Sequence, residues 1–186
     1  YSVLKSINMV KPGFDSTMDV TSCPGTTTCN LGISDSTFAA KEMEKFMAIK
    51  HPDLVFNNEI KIKISGCMNS CGQHSLAQIG FHGSTIRVKS TKKVMPALQV
   101  LLGGGAVKDG LGRISDKIIK IPSKRALFGL DIILQEYQSN KKENESFNDY
   151  YDRTGKIHFY ELLKPLADLS EVKNEEFVDW GSSDAF

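Results

Sequence analysis

The four cysteines of this 186-residue chain fall into two closely spaced pairs. Cys23 and Cys29 are separated by five residues, and Cys67 and Cys71 by three. Each pair lies in a segment that contains glycine, where the backbone can approach a bulky inorganic group without side-chain obstruction. Four thiolates in this layout predict an iron–sulfur cluster site.

Three other interpretations are compatible with the cysteines. A zinc site fits the number of thiols, but structural zinc usually takes pairs with two to four intervening residues, and the first pair has five. Two disulfides would require an oxidising compartment, and the first residues show no cationic start followed by an apolar run. Four unrelated buried thiols are disfavoured by the pairing.

The residues around the two pairs resemble a known family. Residues 21–33 read TSCPGTTTCNLGI, and residues 64–74 read ISGCMNSCGQH. Both stretches are similar to the signature of the siroheme and 4Fe-4S nitrite/sulfite reductases. Residues 101–105, 118–125 and 145–153 also resemble the carboxyl-terminal part of bacterial members.

This resemblance implies a specific set of ligands. The thiolates that would hold one 4Fe-4S cluster are those of Cys23, Cys29, Cys67 and Cys71. Cys71 would also be the axial ligand of the siroheme iron, which makes it the residue assigned to catalysis. Such an enzyme reduces nitrite to ammonia or sulfite to sulfide with six electrons. The alternative function is a non-catalytic iron–sulfur or zinc module for electron transfer or interaction.

Further polar residues near the motifs are assigned to siroheme binding. They are Thr27, Thr28, Asn30, Asn69, His74 and Arg87. Purely structural roles remain open for the first five, namely local capping in the first loop, bracing of the second loop, and a satisfied structural histidine at His74. Arg87 belongs to a basic block discussed next.

Charge is unevenly distributed although the formal net charge is only +1. Residues 87–125 hold ten basic and two acidic side chains, whereas residues 126–186 hold six basic and thirteen acidic ones. Siroheme carries eight carboxylates and the substrates are anions, so this basic block is expected to meet the macrocycle, the substrate channel or an acidic donor protein. A solvated basic face is the alternative. The block lacks interleaved aromatic residues, so nucleic-acid binding is not indicated.

Expected partners and location follow from the resemblance and the composition. No apolar run approaches the about 20 residues that span a bilayer, so we expect no membrane and a cytoplasmic location. The family implies a ferredoxin or flavoprotein electron donor and a small anion as substrate. Because the motif begins about twenty residues after Tyr1, we expect a fragment that lacks the amino-terminal half of the enzyme and is inactive alone.

The cysteines must be positioned by an α/β (α+β) fold with a mixed or antiparallel sheet and flanking helices. A short strand over residues 19–22 should deliver Cys23, and the alternating isoleucines of residues 60–64 predict the strand that delivers Cys67. Between them, residues 34–36 offer N-cap oxygens for a helix that ends near Lys50.

The remaining chain predicts a sheet region followed by helices. Residues 78–81 and 85–88 are predicted to form a hairpin, and residues 94–102 a strand. The glycines at 103–105 are expected to allow close approach to the flat cofactor. We predict a reductase domain over residues 1–121 and a helical extension over residues 122–186, packed on it, whose last dozen residues form an extended surface tail.

Overall fold

The computed structural model describes residues 1–10, 13–89, 91–107 and 110–186. Its strands are β1 (Thr21–Ser22), β2 (Ile62–Ser65), β3 (Ile79–Arg87), β4 (Val94–Leu102), β5 (Gly105–Ala106), β6 (Gly112–Arg113) and β7 (Asp116–Pro122). Its α-helices are α1 (Ser2–Ser6), α2 (Ser36–Lys50), α3 (Ala126–Asn140), α4 (Phe147–Thr154) and α5 (Lys156–Leu163).

The main sheet is mixed. Within the described residues its strand order is β1-β2-β3-β4-β7, with β5 and β6 forming a separate two-stranded sheet. The pairs β1–β2 and β2–β3 are parallel, and the pairs β3–β4 and β4–β7 are antiparallel. The predicted fold class, a mixed sheet with flanking helices and a helical carboxyl-terminal region, is confirmed.

The two elements nearest the cysteines form for the reasons that the sequence indicates. Ile60, Ile62 and Ile64 are fully buried because alternate side chains of a strand face the same side. The Asp35 side chain caps α2 by accepting from the backbone N–H of Phe38 at 2.9 Å. Since α2 ends at Lys50, just before His51 and Pro52, its predicted bounds are also confirmed.

The predicted hairpin over residues 78–88 is wrong. β3 is one continuous strand, and it pairs in antiparallel register with β4 from Ile79 opposite Leu102 to Arg87 opposite Val94. Gly83 lies in the middle of β3. A Cβ atom there would stand 2.1 Å from the carbonyl oxygen of Gly66, so only glycine fits at this position. This glycine therefore reflects a close backbone approach and not a turn.

The glycines after β4 also have a different cause from the expected one. A Cβ atom on Gly103 would lie 2.5 Å from the Tyr151 ring, and one on Gly104 would lie 2.8 Å from the carbonyl oxygen of Ser75. The space beside both residues is filled by this chain, so the prediction that a flat cofactor explains them is wrong. Gly103 also has a positive φ of 80°.

The helical region packs on the sheet through one hydrophobic core. Ser146 caps α4, and α4 runs to Thr154, where Gly155 follows with a φ of 83°. No strand is predicted for residues 116–122, yet β7 closes the sheet there. The shared core includes Val100 and Ile119 from the sheet together with the following side chains of the helical region: Leu130, Tyr137, Phe147 and Phe159.

The carboxyl-terminal residues do not form an extended surface tail, and that prediction is wrong. Trp180 is only 8% exposed and belongs to the main core. Lys124 Nζ lies 4.4 Å from the centroid of the Trp180 ring, which is a cation–π contact. Val178 forms a β-bridge with Ala185. The chain end is therefore folded against the body of the protein.

No helix in the described part of the chain combines the length and apolar character required to cross a membrane.

Candidate functional site

The two cysteine pairs are carried by loops that leave the same edge of the sheet. Ser22 of β1 pairs in parallel with Ile64 of β2, so Cys23 and Cys67 follow the carboxyl ends of neighbouring strands. Parallel strands present their carboxyl ends at one edge. The topology thus places residues 23–29 (the first loop) beside residues 66–72 (the second loop).

Backbone hydrogen bonds join the two loop regions. The N–H groups of Ile33 and Ser34 both donate to the carbonyl oxygen of Gly66, at 2.8 and 3.0 Å. The N–H of Cys23 donates to the carbonyl oxygen of Ile64 at 3.3 Å. These backbone hydrogen bonds therefore fix the position of one loop relative to the other.

Glycines allow this contact. A Cβ atom on Gly66 would lie 2.6 Å from the Cα atom of Gly25, and one on Gly72 would lie 2.2 Å from the carbonyl oxygen of Ile64. Both distances are too short for any side chain. The glycines of the motif are required because one loop packs against the other, a contact that the sequence does not reveal.

Cys23 is the thiol with the most developed hydrogen-bond environment. Its Sγ atom accepts from the N–H of Gly66 at 3.1 Å and lies 3.4 Å from Ser36 Oγ. Burial opposes ionisation of this thiol, but the hydrogen bonds from Ser36, Gly66 and Gly25 outweigh it, and the pKa of Cys23 is lowered. A thiolate is the form that binds metal.

All four cysteines are free thiols in the structure. Cys67 is buried, Cys23 is half-buried, and Cys29 and Cys71 are exposed. In the described ranges, no three His, Cys, Asp or Glu side chains are grouped closely enough for a single metal ion.

The second loop has a constrained backbone. Ser70 and Gln73 adopt left-handed conformations with φ of 63° and 59°. The hydroxyl groups of Ser70 and Ser75 lie 2.6 Å apart, which ties the loop to the turn that follows it. A non-glycine residue in the left-handed region raises the energy of the folded state, and it persists only where surrounding contacts stabilise that conformation. Cys71 is therefore flanked by two positions of fixed, unusual geometry.

His74 lies beside His82 under the second loop, with ring centroids 4.8 Å apart. Both rings are buried, and His74 Nδ1 and His82 Nε2 have no hydrogen-bond partner among the described residues. Burial, then His82 and Lys117, lower the pKa of His74 to about 4. Burial is also the main cause that lowers the pKa of His82, with Lys117 and Lys120 contributing. Both imidazoles are neutral at pH 7.

The other predicted site residues do not all lie at the two loops. Thr27 donates to Asp35 Oδ1 at 3.3 Å, the local capping role that the sequence left open. Thr28 is exposed on the first loop, Asn30 is exposed directly after it, and Asn69 is exposed on the second loop. Arg87 lies at the far end of β3, five residues beyond His82, the last β3 residue to pair with β2. The backbone does not bring Arg87 to the loops.

Several side chains of the basic block are used within the chain. Arg113 pairs with Asp152 at 2.7 Å, and Arg125 pairs with Glu176. Lys120 Nζ donates to the carbonyl oxygen of Thr85 at 3.2 Å. Lys120 is opposite Gln99 of β4, which is in turn opposite His82 of β3, so these side chains share one face of the sheet.

Sequence reasoning missed two residues at this edge. His82 falls in the segment mistaken for a turn, so its place opposite Ser65 at the end of β2 was not predictable from the pattern. Asp179 contacts Ser34 across 145 positions of sequence, and no local motif signals such a contact. Only the three-dimensional fold reveals either residue.

The fold and the paired cysteine loops define a mixed α/β domain of the iron–sulfur reductase type. The family model described as "Nitrite and sulphite reductase 4Fe-4S domain" matches residues 13–169. The chain belongs to this family.

Curated relatives and solved structures agree with this placement. The chain is 27% identical over 166 residues to the sulfite reductase [NADPH] hemoprotein beta-component of Salmonella arizonae, covering 89% of this chain and 26% of the relative. It is 31% identical to the corresponding protein of Bacillus licheniformis, covering 72% of this chain and 22% of that relative. The NirA protein of Mycobacterium tuberculosis has a similar fold, with a TM-score of 0.66 and 21% identity over 85% of this chain and 29% of NirA. The chain thus spans about a quarter of the length of these curated relatives.

Proposed function

We propose that this chain is the cluster- and siroheme-binding portion of an enzyme that reduces nitrite to ammonia or sulfite to sulfide. The thiolates of Cys23, Cys29, Cys67 and Cys71 would hold one 4Fe-4S cluster, and Cys71 would also bind the siroheme. The observation that carries the proposal is the contact between the two loops, in which Gly66 donates to Cys23 Sγ at 3.1 Å. Amide donors to sulfur are a main means of tuning such centres.

The residues present fit both groups. Four free thiols on two joined loops, one of them with a lowered pKa, suit an iron–sulfur cluster. The unpartnered Nδ1 of His74 suits an acceptor from outside the described residues, such as a siroheme carboxylate. Neutral His82 donates through Nδ1 to the carbonyl oxygen of Gly83 at 3.0 Å, so its unpartnered Nε2 suits a donor instead. When bound, the two groups store single electrons and hold the substrate.

The chain itself contributes binding and orientation. The Gly66 amide and the Ser36 hydroxyl stabilise the Cys23 thiolate. We propose Thr28, Asn30 and Asn69 as contacts to siroheme, since all three are exposed on or beside the two loops. We propose Thr27 and Arg87 as further siroheme contacts on the family resemblance. Turnover requires residues outside this chain, since the curated relatives are about four times as long.

We also propose the biological setting expected from the family. The electron donor is a ferredoxin or a flavoprotein, the substrate is a small anion, and the amino-terminal half of the same enzyme completes the active site. A cytoplasmic location fits four thiols that are all unpaired.

Anaerobic reconstitution with iron and sulfide tests the cluster. We expect about four iron and four sulfide per chain, with a broad visible absorption that is partly bleached on reduction. Serine variants of Cys23, Cys29, Cys67 and Cys71 should each lose most of this iron. The matched control is Met68→Leu, a volume-conserving change at an exposed position of the second loop.

Two results would contradict the cluster. One is a stoichiometry of a single zinc per chain, and the other is iron binding that survives the cysteine variants. Siroheme is tested separately by adding it to the reconstituted chain and recording its Soret and red absorption bands with and without Cys71→Ser.

A further inference from the structure

The carboxyl-terminal segment reaches the start of α2, beside the first loop. Asp179 is only 7% exposed, and both of its carboxylate oxygens accept hydrogen bonds. Ser34 Oγ donates to Oδ1 at 2.9 Å, and the backbone N–H of Asp35 donates to Oδ2 at 2.7 Å. A buried carboxylate used in this way fixes the position of both donors.

Ser34 is one of the residues that connect the two loops. Its carbonyl oxygen accepts from the N–H of Thr26 in the first loop at 3.2 Å, and its own N–H donates to Gly66 of the second loop at 3.0 Å. Gly66 in turn donates to Cys23 Sγ. A displacement of Ser34 would therefore disturb both loops and a hydrogen bond to sulfur.

The segment that carries Asp179 is itself held firmly. Trp180 is buried in the main core, and Lys124 Nζ contacts both the Trp180 ring and the carbonyl oxygen of Asp179, the latter at 3.3 Å. Gly181 has a φ of 69°, and a Cβ atom there would lie 3.0 Å from the Phe38 ring of α2. The carboxylate is therefore presented to Ser34 from a rigid support.

We propose that Asp179 is a positioning residue for the cluster-binding loops, an inference that rests on the proposed function for its role in cluster binding. By holding Ser34 and Asp35, the carboxylate keeps the first loop in contact with Gly66 and keeps the amide of Gly66 aimed at Cys23. Asp179 does not touch the cluster ligands. It acts through Ser34.

Hydrogen exchange in the metal-free 186-residue chain tests the positioning directly. In Asp179→Ala, peptides covering residues 24–36 and 60–70 should exchange at least about tenfold faster, whereas peptides from α3 should be unchanged. The matched control is Asp184→Ala, which removes an exposed carboxylate from the same segment. Ser34→Ala should reproduce the pattern more weakly, because it removes only one of the two hydrogen bonds.

Two exchange results would overturn the inference. One is faster exchange throughout the chain, α3 included, which would mean that Asp179 stabilises the whole fold and no loop in particular. The other is unchanged exchange at residues 24–36 in both variants. Since no metal is present, these results do not depend on the proposed function.

The reconstituted chain gives the second readout. We expect Asp179→Ala to lose its cluster to air about fivefold faster than the parent and the Asp184→Ala control, and to show an altered electron paramagnetic resonance line shape after reduction. Unchanged stability and line shape would overturn the role in cluster binding. Failure of the parent chain to take up iron would instead refute the proposed function.

Discussion

At the scale of single residues, one neighbouring hydroxyl group is the side-chain contact that favours ionisation of Cys23. Ser36 is fully buried, and its Oγ atom lies 3.4 Å from Cys23 Sγ and 2.7 Å from the carbonyl oxygen of Cys23. Thr37 also donates to that carbonyl oxygen, at 3.2 Å, but its contacts do not include the thiol. The two hydroxyls therefore form a matched pair for testing which contact controls the sulfur.

Ser36→Ala should raise the pKa of Cys23, because the side-chain hydrogen bond that favours the thiolate is lost. The measurement is the pH dependence of Cys23 alkylation in the metal-free chain, followed by mass spectrometry. Thr37→Val is the control and should leave the pKa of Cys23 unchanged. An equal rise in both variants would assign the effect to the loop conformation and contradict the role of the hydroxyl.

His74 makes stability dependent on pH. Its pKa is about 4 in the folded chain and near 6.5 when unfolded, so the unfolded state binds more protons between these values. The contribution of neutral His74 to the free energy of unfolding is fully present above pH 6.5 and is lost as the pH falls toward 4. The free energy of unfolding should therefore decrease on acidification, with a slope of up to about 1.4 kcal/mol per pH unit from this residue.

The variant His74→Phe keeps an aromatic ring but cannot titrate. Urea denaturation between pH 4.5 and 7.5 should give a shallower pH dependence for the variant than for the parent. His82 still titrates in the variant, so part of the slope should remain. Identical slopes for the two proteins would show that His74 does not bind a proton on unfolding in this range.

At the scale of elements, prediction succeeds where one local pattern determines the structure. The alternating isoleucines specify β2, and Asp35 with Pro52 brackets α2, because strand burial and helix capping are decided within a few residues. The paired cysteines likewise predict their loops. In contrast, the prediction for β3 fails at Gly83, because the sequence alone does not show whether a glycine forms a turn or allows another backbone segment to approach closely.

Gly83 therefore offers a test of that close approach. In Gly83→Ala the added methyl group would stand 2.1 Å from the Gly66 carbonyl oxygen and 3.0 Å from the Ser34 side chain. We expect a loss of unfolding free energy of about 2–4 kcal/mol and weaker iron binding, because the second loop must move. The control Gly112→Ala meets its nearest atom only at 3.9 Å, and its stability should change by less than about 0.5 kcal/mol. Equal stabilities would contradict the packing described for Gly83.

At the scale of the whole molecule, the helical region supports the sheet that carries the site. We retain residues 1–121 and 122–186 as proposed units, packed together through a common core. Long-range contacts of this kind, including Asp179 with Ser34, could not be predicted from the sequence. They depend on the path of the intervening residues and not on any local spacing.

Arg125 connects the carboxyl-terminal segment to that body. Its guanidinium group binds both carboxylate oxygens of the buried Glu176 and also donates to the carbonyl oxygens of Leu166, Asp168 and Glu171. Burial opposes ionisation of Glu176, but the hydrogen bonds from Arg125 and Lys173 outweigh it and lower the pKa of that carboxyl. One planar side chain thus fixes several separate positions of the segment that presents Asp179.

Arg125→Lys should destabilise the chain by about 2–3 kcal/mol, because an ammonium group keeps the charge but cannot reproduce the planar fork. Limited proteolysis should then cut residues 170–186 faster than α3, and the exchange of residues 24–36 should accelerate as it does in Asp179→Ala. Arg153→Lys is the matched control, since Arg153 binds Glu145 through the same fork but its side chain is 36% exposed against 17% for Arg125, and it should change stability less. Protease resistance equal to that of the parent would show that the segment is held without Arg125, and equal losses in both variants would show that burial of the pair is unimportant.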